Sequence, residues 1–146
     1  MNIQKPMSIK HDYWIYESNG SIPSVKTGKW MMFFNEQTIN QKWKIAVELF
    51  RMKRLPGIVS IKCATALKNP RASSDIKVII FYCNKSNETE RIMKIGYNLV
   101  NKLDYQKNLF YKTDMQTLNG TRATGSKKNY LYKIEYKFNA FEEDSD

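Results

Sequence analysis

The run Gly28-Lys29-Trp30-Met31-Met32-Phe33-Phe34, followed by apolar residues at Ile39, Trp43, Ala46, Val47 and Phe50, decides how this chain folds. The first part is apolar at nearly every position and too short for most helices, so it reads as a strand covered on both faces. The second part recurs at three- and four-residue spacing, the period of a helix face, and predicts a helix over 38–54. Thr38 and Gln41 have the spacing of a capping box at its start, and Pro56-Gly57 ends it. Its other face is basic, with Lys42, Lys44, Arg51, Lys53 and Arg54. A buried strand feeding an amphipathic helix is the unit around which the remaining segments arrange themselves. Trp30, Phe33, Phe34 and Trp43 are expected in the core, because packing is the default role of large aromatics in such patterns.

Upstream, 12–17 is rich in strand formers (Tyr13, Trp14, Ile15, Tyr16), and the loop after it contains Gly20 and Pro23. Downstream, 58–65 alternates, with Val59, Ile61 and Cys63 on one face and Ser60 and Lys62 on the other. A polar loop leads to a strand over 76–83, where Ile76, Val78, Ile80 and Tyr82 share a face and are read as its core side. The short connection predicts that these two strands pair antiparallel. A second helix is expected over 87–103, capped by Asn87, with Ile92, Ile95, Gly96, Leu99 and Leu103 as its apolar stripe. Gly96 lets that helix lie close to a sheet. A short strand over 109–113, a long polar loop over 114–128 and an alternating strand over 130–138 complete the chain.

The order β-β-α-β-β-α-β-β predicts an α+β fold: a curved, mainly antiparallel sheet with two helices packed on one face. Residues 1–11 read as a loose arm, 12–139 as one domain and 140–146 as an acidic tail.

The 146 residues carry a net charge of +10. Glu142, Glu143, Asp144 and Asp146 lie in the tail, so the rest of the chain carries +14, from 24 basic and 10 acidic residues. That surplus favours an anionic partner. Catalytic constellations are missing. His11 is the only histidine, Cys63 and Cys83 are far apart inside strands, and no two carboxylates are arranged for acid–base work. Neither a phosphate-binding P-loop nor a dinucleotide-binding glycine motif occurs. The expectation is a binding module rather than an enzyme, without cofactor or metal; catalysis by a lysine, a tyrosine or a lone carboxylate stays open. No apolar stretch is long enough to span a membrane, and the first ten residues have no leader-like apolar region, so an intracellular protein, cytoplasmic or nuclear, is expected.

Aromatic residues lie beside basic ones, the combination that stacks bases and pairs with phosphates. Trp14 and Tyr16 are candidate stacking rings and Glu17 a candidate reader of a base edge; alternatively one of the two rings is core. Lys62 and Lys77, each read as lying opposite its strand's core residues, would gather with Lys68 and Arg71 into a phosphate-binding surface; the bland alternative is a solvated sheet face. Arg122 and Lys127, in the loop Arg122-Ala123-Thr124-Gly125-Ser126-Lys127-Lys128, are candidates to close over an anionic ligand, or belong to an ordinary surface loop. A nucleotide or RNA is therefore the expected partner, by stacking plus lysine and arginine contacts. A protein-interaction module without nucleotide binding, sequestration or turnover of a nucleotide messenger, and generic RNA binding by the basic helix face are the alternatives.

The stretch from Gly28 to Phe34, the helix after it, Val59-Ser60-Ile61-Lys62, Lys77-Val78-Ile79-Ile80-Phe81, a helix containing Ile95-Gly96-Tyr97, and Thr124-Gly125-Ser126-Lys127-Lys128-Asn129-Tyr130 together resemble the latter two-thirds of the cap-binding translation initiation factors. Trp14-Ile15-Tyr16, Gly28-Lys29-Trp30-Met31 and Tyr111-Lys112-Thr113-Asp114-Met115-Gln116-Thr117 resemble, more closely, a small family typified by basophilic leukaemia-expressed protein, which is similar in fold to those factors. The likeness runs over about residues 12–137. It implies a curved antiparallel sheet backed by helices, with a ligand site on the concave side. There two tryptophans sandwich a methylated guanine, a glutamate reads its edge and basic residues hold the triphosphate. Carried over, Lys62 and Lys77 match the phosphate-binding positions, and Trp14 or Tyr16-Glu17 the stacking ring and the glutamate. The chain begins downstream of the strands bearing the other tryptophan and lacks the helix that docks the factors' protein partners. A second stacking face would thus come from Tyr13, Trp14 or a second chain.

Overall fold

The computed structural model describes residues 2–20, 27–68, 70, 75–114 and 129–137. Its elements are β1 (Trp14–Ser18), β2 (Gly28–Phe34), α1 (Glu36–Arg51), β3 (Ser60–Ala64), β4 (Lys77–Cys83), α2 (Thr89–Leu103), β5 (Leu109–Thr113) and β6 (Tyr132–Ile134). The strands form one curved six-stranded sheet in the order β1-β3-β4-β2-β5-β6, and every neighbouring pair is antiparallel. The expected pairing of the third and fourth strands is present, with Lys62 opposite Ile80.

Both helices cover the same face. Trp30 of β2 is fully buried there, and its indole N–H donates to the Ile92 carbonyl of α2 at 3.2 Å. Gly96 sits directly over that indole; a Cβ at this position would come within 2.6 Å of the Trp30 ring and 2.7 Å of Ile134. α1 buries Ile39, Trp43, Ala46 and Val47 on the same side. Each large side chain so covered contributes roughly 1.5–3 kcal/mol relative to exposure.

Some local signals resolve differently. α1 begins two residues before the expected start, because Asn35 and not Thr38 is its cap; the Asn35 side chain accepts from the Thr38 backbone N–H at 2.9 Å. The cap of α2 is Glu88 rather than Asn87, without a side-chain hydrogen bond. Phe33 is not a core residue; it is exposed on the face opposite the helices. Among the described residues the last strand spans Tyr132–Ile134 rather than the expected 130–138, of which 138 lies outside them. The arm expected over 1–11 is packed over its middle: Pro6–Ser8 form a 3-10 turn, Pro6 and Ile9 are buried, and the Met7 N–H donates to Asn40 of α1 at 3.0 Å. The acidic tail over 140–146 lies outside the described residues.

Candidate ligand-binding face

Directly paired residues in an antiparallel sheet share a face. The register therefore assigns every strand side chain either to the helix layer or to the open face. Besides the pairs Trp14-Ala64 and Val78-Phe33 at one side of it, two longer rows cross the open face. One consists of Tyr16, Lys62, Ile80, Met31, Phe110 and Lys133, each opposite the next from β1 to β6. The other, two residues along each strand, consists of Ser18, Ser60, Tyr82, Lys29 and Lys112.

Lys62 is the centre of this face. Its ammonium lies 4.1 Å from the centroid of the Trp14 ring and 5.8 Å from that of Tyr82. Lys29 approaches the same Tyr82 ring at 5.9 Å and reaches the Asp114 carboxylate at 3.4 Å. Burial, and next the positive charge of Lys29, hold the Lys62 ammonium below the usual lysine range, against a smaller opposing effect of Asp114. Burial likewise pushes the Tyr82 phenol up to about 12, with help from Asp114 and Tyr16. Among the described residues no carboxylate forms an ion pair with Lys62. The face thus holds a half-buried cation against two aromatic rings, with a second cation nearby that is already paired. Such a cluster favours an incoming anion electrostatically and offers ring faces for stacking.

The candidates named from sequence divide accordingly. Trp14, Tyr16 and Lys62 come together on the open face; neither ring is core, and Tyr16 is 64% exposed. Glu17 belongs to the other face, where both its carboxylate oxygens accept from Arg51 of α1, at 2.8 and 3.1 Å. Burial of Ile15 fixes this parity: with Ile15 inward, Glu17 must follow it.

Lys77 is the clearest correction. It lies on the helix side with Ile79, Phe81 and Cys83, is only 4% exposed, and does not join Lys62. The expected core face of its strand, Val78, Ile80 and Tyr82, is the open one. Lys68 is exposed and lies 3.8 Å from Asp75. Arg71, Arg122 and Lys127 lie outside the described residues.

Lys29, Tyr82 and Asp114 were not singled out from sequence. Lys29 carried the one available signal, a charge interrupting an apolar strand. The two cysteines are free and buried; burial raises both thiols, Cys83 to about 12, which leaves them poor nucleophiles. Among the described residues no helix is long and apolar enough to cross a membrane, and no group of three or more potential ligands could hold a metal ion.

The fold is shared with solved cap-binding proteins. The Schistosome eIF4E complexed with m7GpppG and 4E-BP superposes with a TM-score of 0.70 at 16% identity, over 90% of this chain and 75% of that one. Ascaris suum eIF4E-3 with an m2,2,7G cap gives 0.55 at 15% identity, over 67% of this chain and 60% of that one. C. elegans eIF4E-3, in complex with the 4E-binding protein Mextli and a cap analog, gives 0.61 at 13% identity, over 83% and 68%. This chain thus spans about three-fifths to three-quarters of the length of those factors. At these identities the likeness is one of fold. A comparison with curated protein sequences gave no match. The model of the family described as basophilic leukemia-expressed protein Bles03 matches residues 20–119, more than half of the chain and including β2, both helices and the Lys62 strand. This protein therefore belongs to the Bles03 family, built on the fold of the eIF4E cap-binding factors.

Proposed function

We propose that this chain is a non-enzymatic binding module for a phosphate-bearing ligand, a nucleotide or the 5′ end of an RNA, held on the open face of the sheet. The observation that carries this reading is Lys62: a half-buried ammonium, 4.1 Å from Trp14, depressed by burial and by Lys29. An anion placed beside it relieves both effects, and the rings of Trp14 and Tyr16 offer a platform for a base. Lys62 is the phosphate contact in this reading, and Glu17 has no part in reading the base because Arg51 holds it on the other face. The cap ligands in the Schistosome and Ascaris structures support the same class of partner.

A thermal-shift panel of cap analogues, GTP, ATP and short RNA tests this. A ligand at 100 times its dissociation constant adds about 2.7 kcal/mol, a shift of several degrees. The shift should vanish in Lys62→Ala. A panel flat for every nucleotide would end the proposal.

A protein-docking reading has one observation in its favour. A cleft of about 870 Å³ on the helix layer is lined by Pro56, Gly57, Met93, Ile95 and Tyr97, and Tyr97 is 57% exposed. The Schistosome and C. elegans factors are seen with 4E-BP and Mextli. This reading expects a flat nucleotide panel.

A further inference from the structure

The open face has a pattern that a single nucleotide does not use up. In the first row an apolar stretch, Ile80-Met31-Phe110, runs from β4 through β2 to β5, with Lys62 at one end and Lys133 at the other. In the second row the side chains of Tyr82, Lys29 and Lys112 stand beside that stretch, two residues along each strand. The separation of the rows is about 6.8 Å. The Lys62 ammonium lies between the Trp14 ring, 4.1 Å away, and the Tyr82 ring of the second row, 5.8 Å away. An apolar strip and a cationic strip therefore run side by side across the strands. At the far end the Phe110 ring is met edge-on by Tyr130, with centroids 5.0 Å apart.

Lys62 and Lys29 stand on β3 and β2, which are separated by β4. With one row of offset between them their backbones are about 12 Å apart, and their ammoniums lie 5.8 and 5.9 Å from the Tyr82 ring centroid. Two cations rooted on different strands offer places for two phosphates, each at a hydrogen-bond distance of ~2.8 Å. Lys29 already binds an anion, the Asp114 carboxylate at 3.4 Å, which marks the position as one that accepts negative charge.

We infer that these two rows bind a single-stranded nucleic acid lying across the strands from β3 to β5. Its phosphates follow Lys62, Lys29 and Lys112, and its bases lie on Met31 and Phe110, beside the buried Ile80. A single strand has the same two edges, one anionic and one formed by flat apolar bases. Stacking on such a surface is tolerant of sequence. The three interstrand steps from β3 to β5 span about 14 Å, so the ligand is an oligonucleotide of several residues rather than a mononucleotide. In the second row an incoming phosphate displaces Asp114 from Lys29. This inference rests on the open face being the nucleotide site.

The test is fluorescence anisotropy of labelled oligouridylates, from one to eight nucleotides, over a series of KCl concentrations. Affinity should rise at least ten-fold from the monomer to the tetramer and then level off. The logarithmic salt slope should fall by about 0.7 for each phosphate contact removed, as in Lys29→Met and Lys62→Met, which retain side-chain volume. The triple variant Lys44→Ala, Lys53→Ala, Arg54→Ala, on the exposed face and end of α1, should bind unchanged. Equal affinity for monomer and octamer overturns the inference, as does a slope reduced by the α1 variant and not by Lys29→Met or Lys62→Met. If mononucleotides shift the melting temperature while no oligomer binds more tightly, the inference fails alone. If neither binds, the reading of the open face fails with it.

Discussion

Replacing Gly96 by alanine tests how tightly α2 is seated on the sheet. At an exposed helical site this change stabilises by about 1 kcal/mol, because alanine restricts the unfolded chain and favours the helix. Here the added carbon would lie 2.6 Å from one atom of the Trp30 ring, 2.8 Å from another and 2.7 Å from Ile134 Cδ1. Optimal carbon contacts are about 3.5–4.0 Å, so roughly 1 Å must be found. Trp30 cannot supply it. Its ring is fully buried, donates to the Ile92 carbonyl, and packs edge-on against Tyr111 with centroids 5.2 Å apart. The helix must lift instead, loosening Ile92, Ile95 and Leu99. Overpacking costs about 1–3 kcal/mol; movement of backbone puts this case at the upper end. Subtracting the helix-propensity gain leaves a net loss of about 2 kcal/mol. In a chain of this size that lowers the melting temperature by about 6 °C. Calorimetry and a urea titration measure it, the latter with an unchanged m-value. A melting temperature equal to or above that of the parent would refute the packing argument.

Three further outcomes follow from the charges. Lys77→Met should raise the melting temperature by a few degrees and leave nucleotide binding unchanged, because Lys77 is 4% exposed and forms no ion pair with a described residue; lost binding would return Lys77 to the site. Asp114→Asn frees Lys29 and should tighten binding of a phosphate-bearing ligand by about 1 kcal/mol, roughly five-fold; weaker binding in isothermal titration would contradict the displacement. Lys62 has a folded pKa below its unfolded value, so between the two the unfolded chain holds more protons and stability rises with pH. Binding needs the charged form, so affinity should fall with rising pH beginning below the usual lysine value of about 10.4. Lys62→Arg should carry binding to higher pH, and an affinity flat across that window in both proteins would exclude Lys62 as the contact.

Much of the architecture could be read from periodicity. The run at Gly28–Phe34, the stripes of both helices, the close approach at Gly96 and the antiparallel pairing of β3 with β4 all rest on local patterns that tertiary packing respects. The parity of the strands was harder. In β3 the alternation of Ile61 and Cys63 with Ser60 and Lys62 is clean, and Lys62 was placed on the open face. In β4 the residues on both faces are apolar, so hydrophobicity cannot distinguish Val78, Ile80 and Tyr82 from Ile79 and Phe81. Periodicity therefore assigns Lys77 to the wrong face. The same ambiguity hid Glu17, since Trp14 and Tyr16 look more like core than Ile15 does, and its partner Arg51 is far away in sequence. Lys29, Tyr82 and Asp114 converge only through the β2–β4 register and the end of β5, which no local pattern reveals. The cap at Asn35 is masked in the sequence by the competing start that the Thr38–Gln41 spacing offers.

The proposed ligand sits on the open face beside Lys62. The three indole N–H resonances test this placement in one titration, because Trp14 lies on that face while Trp30 and Trp43 are buried on the helix side. With a cap analogue or a short oligouridylate added to ¹⁵N-labelled protein, the Trp14 indole should shift progressively and saturably while those of Trp30 and Trp43 stay in place. Movement of Trp30 or Trp43 with Trp14 unchanged would put the ligand on the helix side, away from Lys62.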